Sequence, residues 1–318
     1  CYDSCYDSCC WDPCNMNFEL GADFLWWKPC VDDLDYAAKN TKDSPREYKF
    51  KNICPDWEPG VRVYLGIPNL YCDWGLTASY TYINSDDSSS ASSTGDDDII
   101  HVIQHPGLEI NNDYECGKGE WDATYHDWDI LANYNISCKK CHQFSPYFGV
   151  AGICLEQNLK ITLDDSSTSE KEITKWDSDY WGVGLRLGSG YQYRFSDCLS
   201  FFVKGDGTIL AGEADSKIKF DDNDSNSNHD LSFKDSKDCQ IIPGYHIRAG
   251  FIYDTCLCDW DFSLRLGYEF LMWHNVPNHR TFVGNDFTNG KKDAAISTSS
   301  NTRTFGFHGL LAGMSVSF

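Results

Sequence analysis

Sixteen cysteines run through this 318-residue chain, and five of them, Cys1, Cys5, Cys9, Cys10 and Cys14, crowd into CYDSCYDSCCWDPC. Thiols at this density can hold a metal, exchange disulfides, or bridge one chain to another. Cys138-Lys-Lys-Cys141 and Cys256-Leu-Cys258 have the spacing of half a zinc site or of a redox dithiol. Type and spacing alone leave all three chemistries open.

The other reactive groups are carboxylates and guanidinium groups. SDDSSSASSTGDDD (85–98) and DDNDSNSNHD (221–230) mix carboxylates and amides as a Ca²⁺ loop would, but lack a glycine placed as in an EF-hand and a closing glutamate. Such polar tracts are usually only solvated. His101-Val-Ile-Gln-His105 lacks the helix and the glutamate of a zincin. Asp and His are present, yet no spacing singles out a nucleophile, a base and an oxyanion site, so no enzyme, metal or cofactor is expected. Gly182-x-Gly184-x-x-x-Gly188 lacks the strand–turn–helix setting of a dinucleotide loop and reads as space on the polar face of a strand.

These groups are positioned by strands. Aromatics make up 15% of the chain, and apolar residues alternate with polar ones along most of it. Phe18, Leu20, Ala22, Phe24 and Trp26 oppose Glu19, Gly21 and Asp23. Val61, Val63 and Leu65 oppose Arg62 and Tyr64, while Trp128 and Ile130 oppose Asp127 and Asp129. Trp181, Val183, Leu185 and Leu187 oppose Arg186; Ile247 and Ala249 oppose Arg248; Leu264, Leu266 and Tyr268 oppose Arg265 and Glu269. Alternation is weaker around 146–161 and 199–212. The apolar face often ends in Trp or Tyr, as an aromatic girdle would, and the other face mixes Gly, Arg, Asp and Glu, which suits a polar lumen.

The connections alternate in length. Long ones fall near 29–59, 85–121, 162–176, 213–239 and 274–302, and short ones near 69–72, 137–143, 195–198 and 255–258. A sandwich has no reason for this asymmetry. A membrane barrel does: long extracellular loops, tight periplasmic turns and an even strand count. The sequence therefore predicts an all-β protein, an antiparallel transmembrane β-barrel of about ten strands over 16–318, or twelve if a long loop hides a hairpin, after a cysteine-rich periplasmic segment at 1–15. The last strand, GLLAGMSVSF, alternates up to Phe318, and this aromatic end resembles the assembly signal of bacterial outer-membrane barrels.

On this layout Glu19, Asp23, Arg62, Asp127, Asp129, Arg186, Asp206, Arg248, Arg265 and Glu269 line the lumen. They either pair into a plug or set the selectivity of a narrow pore. Cys72, Cys138, Cys141, Cys198, Cys256 and Cys258 fall at the short turns, on the side of the five N-terminal cysteines. A redox dithiol needs a helix N-terminus, and zinc needs four converging ligands where only His142 accompanies these thiols, so disulfides or cross-links are preferred. Cys30 and Cys54 could staple the first long loop. Cys1, as first residue, would also suit lipid modification.

FELGADFLWWKPCVDDLDYA (Phe18–Ala37), Asp56-Trp57-Glu58-Pro59-Gly60-Val61-Arg62-Val63, PYFGVAG (Pro146–Gly152), QNLKI (Gln157–Ile161) and WGVGLRLG (Trp181–Gly188) resemble the pore-forming, major-outer-membrane-protein-like family of legionella-type and chlamydia-related bacteria. The resemblance spans most strands but neither the cysteine-rich start nor the Asp/Ser tracts. It implies a barrel in the bacterial outer membrane, touching lipid and passing small solutes and ions. The cysteine density is also similar to that of envelopes whose proteins are disulfide cross-linked to themselves or to other envelope proteins.

The formal charge of −22 repels nucleic acid and favours cations. Two functions are expected as alternatives: a porin-like channel, mildly cation-preferring and disulfide cross-linked at its periplasmic face, or a structural envelope protein whose closed barrel is an anchor.

Overall fold

The computed structural model describes residues 18–43, 46–71, 73–93, 99–103, 114–138, 141–165, 170–196, 198–224, 227–228, 231–257, 260–284 and 296–318. Ten antiparallel strands form a closed barrel: β1 (Glu19–Val31), β2 (Glu58–Tyr71), β3 (Trp74–Ser92), β4 (Cys116–Tyr134), β5 (His142–Asp165), β6 (Glu170–Arg194), β7 (Leu199–Asp224), β8 (Leu231–Leu257), β9 (Trp260–Pro277) and β10 (Thr302–Ser317). Each pairs with its sequence neighbours, and β10 closes the sheet on β1 from Glu19↔Ser317 to Val31↔Phe305. Beyond that ladder, Phe18 and Phe318 exchange two backbone hydrogen bonds of 3.0 Å. Closure removes the exposed edge that an open sheet would present to other chains.

The alternation read from the sequence is the alternation of the wall. Phe24, Val63, Ile130, Val183, Leu266 and Met314 point outward and are exposed, Leu185 to 71%. Such exposure suits lipid rather than water. Rings rim this belt at both ends: Trp26, Tyr82, Trp181 and Tyr268 at one, Phe18, Trp74, Trp260 and Phe318 at the other. From Phe18 to Trp26 the strand advances roughly 26 Å along itself, or about 20 Å across a membrane at a tilt near 40°, comparable with the apolar band of outer-membrane barrels.

The short turns lie where expected, but the long segments differ. Strand structure occupies part of 85–121 and most of the described residues of 162–176 and 213–239: β3 continues to Ser92, β5 runs to Asp165 where it pairs with Glu170 of β6, and β7 and β8 continue to Asp224 and from Leu231. Polar side chains do not oppose this, because each strand finds a hydrogen-bonding neighbour and presents its polar face to water. β8, 27 residues long, spans roughly 90 Å at about 3.3 Å per residue, so the strands rise far beyond one end of the belt. The first long segment does hide a hairpin, Asp35–Asp43 with Arg46–Asn52, but its sheet is separate from the barrel. A second small hairpin, Thr281–Gly284 with Ile296–Ser299, lies within 274–302.

Above the belt the polarity of the wall inverts. Leu25, Trp27, Ile83, Trp121, Tyr125, Leu155, Trp176, Trp273, Phe305 and Phe307 point inward and are buried in one core, while Glu120, Asp122 and Lys160 face out. Leu34, Tyr36 and Ile53 of the first hairpin join this core and lie against the inner face of β4, where a side chain at Gly119 would strike Tyr36.

Candidate functional site: a charged lumen beneath an aromatic layer

All ten residues expected to line the lumen face it. Eight of them, with His246, form two buried clusters inside the belt. In the first, Arg62 donates from Nη1 and Nη2 to the two oxygens of Glu269 at 2.9 and 3.0 Å, and from Nε to Thr81 Oγ1 at 3.0 Å. His246 Nε2 lies 2.6 Å from Glu269 Oε2. Arg265 donates to Asp23 at 2.9 Å and touches Tyr64 OH, and Asp23 also lies 3.7 Å from Arg62.

In the second cluster, Arg186 donates to Asp127 at 3.0 Å, to Asp129, and to Thr208 at 3.0 Å, with Asp206 at 3.6 Å. Ser79 donates to Asp129 at 2.8 Å and Tyr147 to Asp206 at 3.0 Å. The strands supply this constellation because their inward positions share a level. Arg62 registers with Asp23 and Thr81, and Arg186 with Thr208.

Tyr125 joins the ions to the apolar layer. It donates to Asp127 at 3.0 Å and accepts from Trp273 Nε1 at 3.0 Å. Its ring lies 5.3 Å from that of Phe307, which is also 5.3 Å from Trp27. Trp27 and Trp273 are 1% and 0% exposed and belong to one buried apolar layer with Tyr125 and Phe307. Higher still, Arg303 stacks on Trp176 at 4.8 Å and donates to Gln157. Burial and the neighbouring Arg303 push the His279 imidazole down to about 4.

On the short-turn side of the ionic clusters lies a cavity of about 300 Å³. Glu19, Lys204, Arg248, Gln143, Gln192 and Tyr147 are among the groups on its wall. Lys204 escaped the sequence reading of the lumen, whereas His246 shares the polar face with Arg248. Lys204 lies on β7, whose period is weak because Phe202 points inward and is buried. The space above Gly182 is filled by the Tyr180 ring rather than left as lumen.

The cysteines give a mixed result. Cys30 and Cys54 carry free thiols, so the expected staple is corrected. Cys30 lies on the outer side of β1, whereas the hairpin that leads to Cys54 packs inside the mouth, and Cys54 Sγ donates to Asn52 instead. Cys141 and Cys198 sit exposed and free at the short-turn rim. Cys1, Cys5, Cys9, Cys10, Cys14, Cys72 and Cys258, and the side chains of Cys138 and Cys256, lie outside the described residues. Of the acidic tracts, only part is described; there Asp86 and Asp87 point to opposite faces of β3. Among the described residues no three His, Cys, Asp or Glu converge as a metal site would require.

A family model described as Legionella pneumophila major outer membrane protein precursor matches residues 12–318. No curated protein matches the sequence. Similar solved structures include the outer membrane protease OmpT from Escherichia coli, at TM-score 0.43 and 8% identity over 95% of this chain and 96% of that one. They also include the P. putida toluene transporter TodX, at TM-score 0.35 and 11% identity over 96% and 90%. Likeness this distant carries no argument about activity.

Proposed function

The chain belongs to the family of the Legionella pneumophila major outer membrane protein and lies in the bacterial outer membrane, and from that premise we propose a gated, porin-like passage for small polar solutes, closed at rest. The observation that carries this reading is the pair of ionic clusters, Arg62–Glu269 and Arg186–Asp127, buried inside the membrane belt. Burying an ion costs several kcal/mol, and well-packed apolar residues of similar volume often stabilise as well or better. A barrel that served only as an anchor would gain nothing from such ions, whereas a gate needs contacts that can exchange partners. Ten strands lie between the filled eight-stranded barrel and the aqueous sixteen-stranded porin.

A second reading, a closed anchor for the strands that rise above the belt, is favoured by the buried layer of Trp27, Trp273 and Phe307. Planar-bilayer recordings of the folded chain separate the two. The gated passage predicts small, infrequent conductance steps that become more frequent in Glu269→Gln. Silence of both proteins at either polarity would overturn it and leave the anchor. Cross-linking through the rim cysteines is part of either reading, and a ladder on non-reducing gels that collapses with reductant is its expected sign.

A further inference from the structure

Lys204 on β7 and Arg248 on β8 stand directly opposite each other in the ladder, and both side chains line the cavity at the short-turn end. Like charges in this position repel and destabilise the sheet. Of the described carboxylates near them, Glu19 on the same cavity wall is the one with no other partner, and it makes no hydrogen bond or ion pair with either cation; the rest are engaged elsewhere. Glu269, which registers with Arg248, gives both oxygens to Arg62 and one also to His246. Asp23 is held by Arg265, and Asp206, two residues along from Lys204, is held by Tyr147 and Arg186. Among the described residues neither Lys204 nor Arg248 has a side-chain partner, and Arg248 Nε is buried without an acceptor. A buried donor without an acceptor costs stability.

The wall beside these cations is shaped to leave room. Lys204 registers with Gly190, and Gly190 with Ser145, so one row runs Ser145, Gly190, Lys204, Arg248 across four strands. A side chain at Gly190 would press on the stem of Lys204. Gln143, Gln192 and Tyr147 add hydrogen-bonding groups to the same cavity, whose volume of about 300 Å³ admits a compact solute.

We propose that this cavity binds a small multivalent oxyanion, a phosphate or a short dicarboxylate, held between the Arg248 guanidinium and the Lys204 ammonium. Arg248 supplies the planar fork that matches an oxyanion, and Lys204 supplies a point charge beside it. Glu19, on the same cavity wall, opposes the anion and limits its affinity. The site is of opposite sign to the acidic chain as a whole, and it does not depend on whether the barrel conducts.

The test is calorimetric titration of the folded full-length chain in detergent with inorganic phosphate and, separately, malonate, against chloride at equal ionic strength. Saturable binding of both, each competing with the other, is expected. Arg248→Gln and Lys204→Gln each weaken it by roughly tenfold or more, the loss expected for a charged hydrogen bond. Glu19→Gln keeps both cations and strengthens it, an effect that a folding defect cannot imitate; heat-modifiability on gels checks folding of all three. No saturable binding by the wild-type chain, or equal binding by all variants, would overturn the site. Binding without conductance supports the site while removing the gated passage, and conductance without binding does the reverse.

Discussion

Arg62 on β2 and Glu269 on β9 meet through two parallel hydrogen bonds of 2.9 and 3.0 Å, although 207 residues separate them in the chain. The strands that bear them are not neighbours: β10 and β1 stand between them around the wall. The pair therefore spans the lumen and does not merely decorate one ladder. Thr81 and His246 satisfy further polar positions on the two partners, so the cluster is nearly complete in itself.

Removing one side of this pair leaves the other as an uncompensated buried charge. Glu269→Ala is expected to destabilise the barrel by about 3–5 kcal/mol. Arg62→Met combined with Glu269→Leu, which removes both charges and keeps their volume, is expected to recover most of that loss. Urea unfolding in detergent, followed by tryptophan fluorescence, measures both. A double variant as weak as the single one would mean that the charges themselves, and not their pairing, hold the barrel.

The aromatic layer makes a separate prediction. Trp27 is 1% exposed and packs on Phe307, and Arg62 stacks beneath it at 5.6 Å. Trp27→Ala leaves a cavity between Phe307 and Arg62 and is expected to cost about 3–5 kcal/mol. If the gated passage is right, the same substitution raises conductance, because the cavity joins the ionic level to the space above it. Liposome swelling with a small sugar reads this directly: swelling equal to wild type would place the seal elsewhere.

The wall of the belt was legible in the sequence and the aromatic layer above it was not, for one physical reason. Period two identifies two faces but does not say which of them meets lipid. Along β4 the apolar set is Trp121, Ala123 and Tyr125, and then, one step out of phase, Trp128, Ile130 and Ala132. That change of phase marks where the environment outside the wall passes from water to lipid: above it the apolar residues must turn inward, and below it outward. β5 changes phase in the same way, from outward Phe148 and Val150 to inward Ile153 and Leu155, which is why its alternation looked poor. Paired charges could be assigned to the lumen but not to partners, since Arg62 and Glu269 are joined only by closure of the barrel. The strands above the belt were hidden by composition, because Ser and Asp in Ser85–Ser92 have low strand propensity and are ordered by the ladder to β4.

Acid should loosen the region above the belt through His279. Its folded-state value, about 4, lies below the ordinary 6.5, so the neutral ring is the one the fold accommodates. A depressed value means that the stabilising contribution is complete above the unfolded pKa and is lost as pH falls from about 6.5 towards 4, by up to a few kcal/mol. Hydrogen exchange of the backbone around Trp176, which His279 touches edge-on, should therefore accelerate between pH 7 and 5 once intrinsic exchange is corrected. In His279→Gln that acceleration should disappear. Its persistence would assign the effect to groups other than His279, though not to Glu172, whose burial raises its pKa and so favours the fold as pH falls.

The orientation of the barrel is open to a direct chemical test with thiols the protein already has. Cys54 and Cys239 are exposed at the end where the strands rise, and Cys141 and Cys198 are exposed at the short-turn rim. If the short turns face the periplasm, as in outer-membrane barrels generally, a membrane-impermeant maleimide applied to intact cells should modify Cys54 and Cys239 and spare Cys141 and Cys198. Opening the outer membrane, first without and then with reductant, should expose the second pair. Peptide mass spectrometry assigns each site. Labelling of Cys141 or Cys198 on intact cells would invert the barrel, and with it the side from which the Lys204–Arg248 cavity is reached. Should those two label only after reduction, the rim thiols are engaged in disulfides in the cell, and the cross-linked envelope gains its first chemical support.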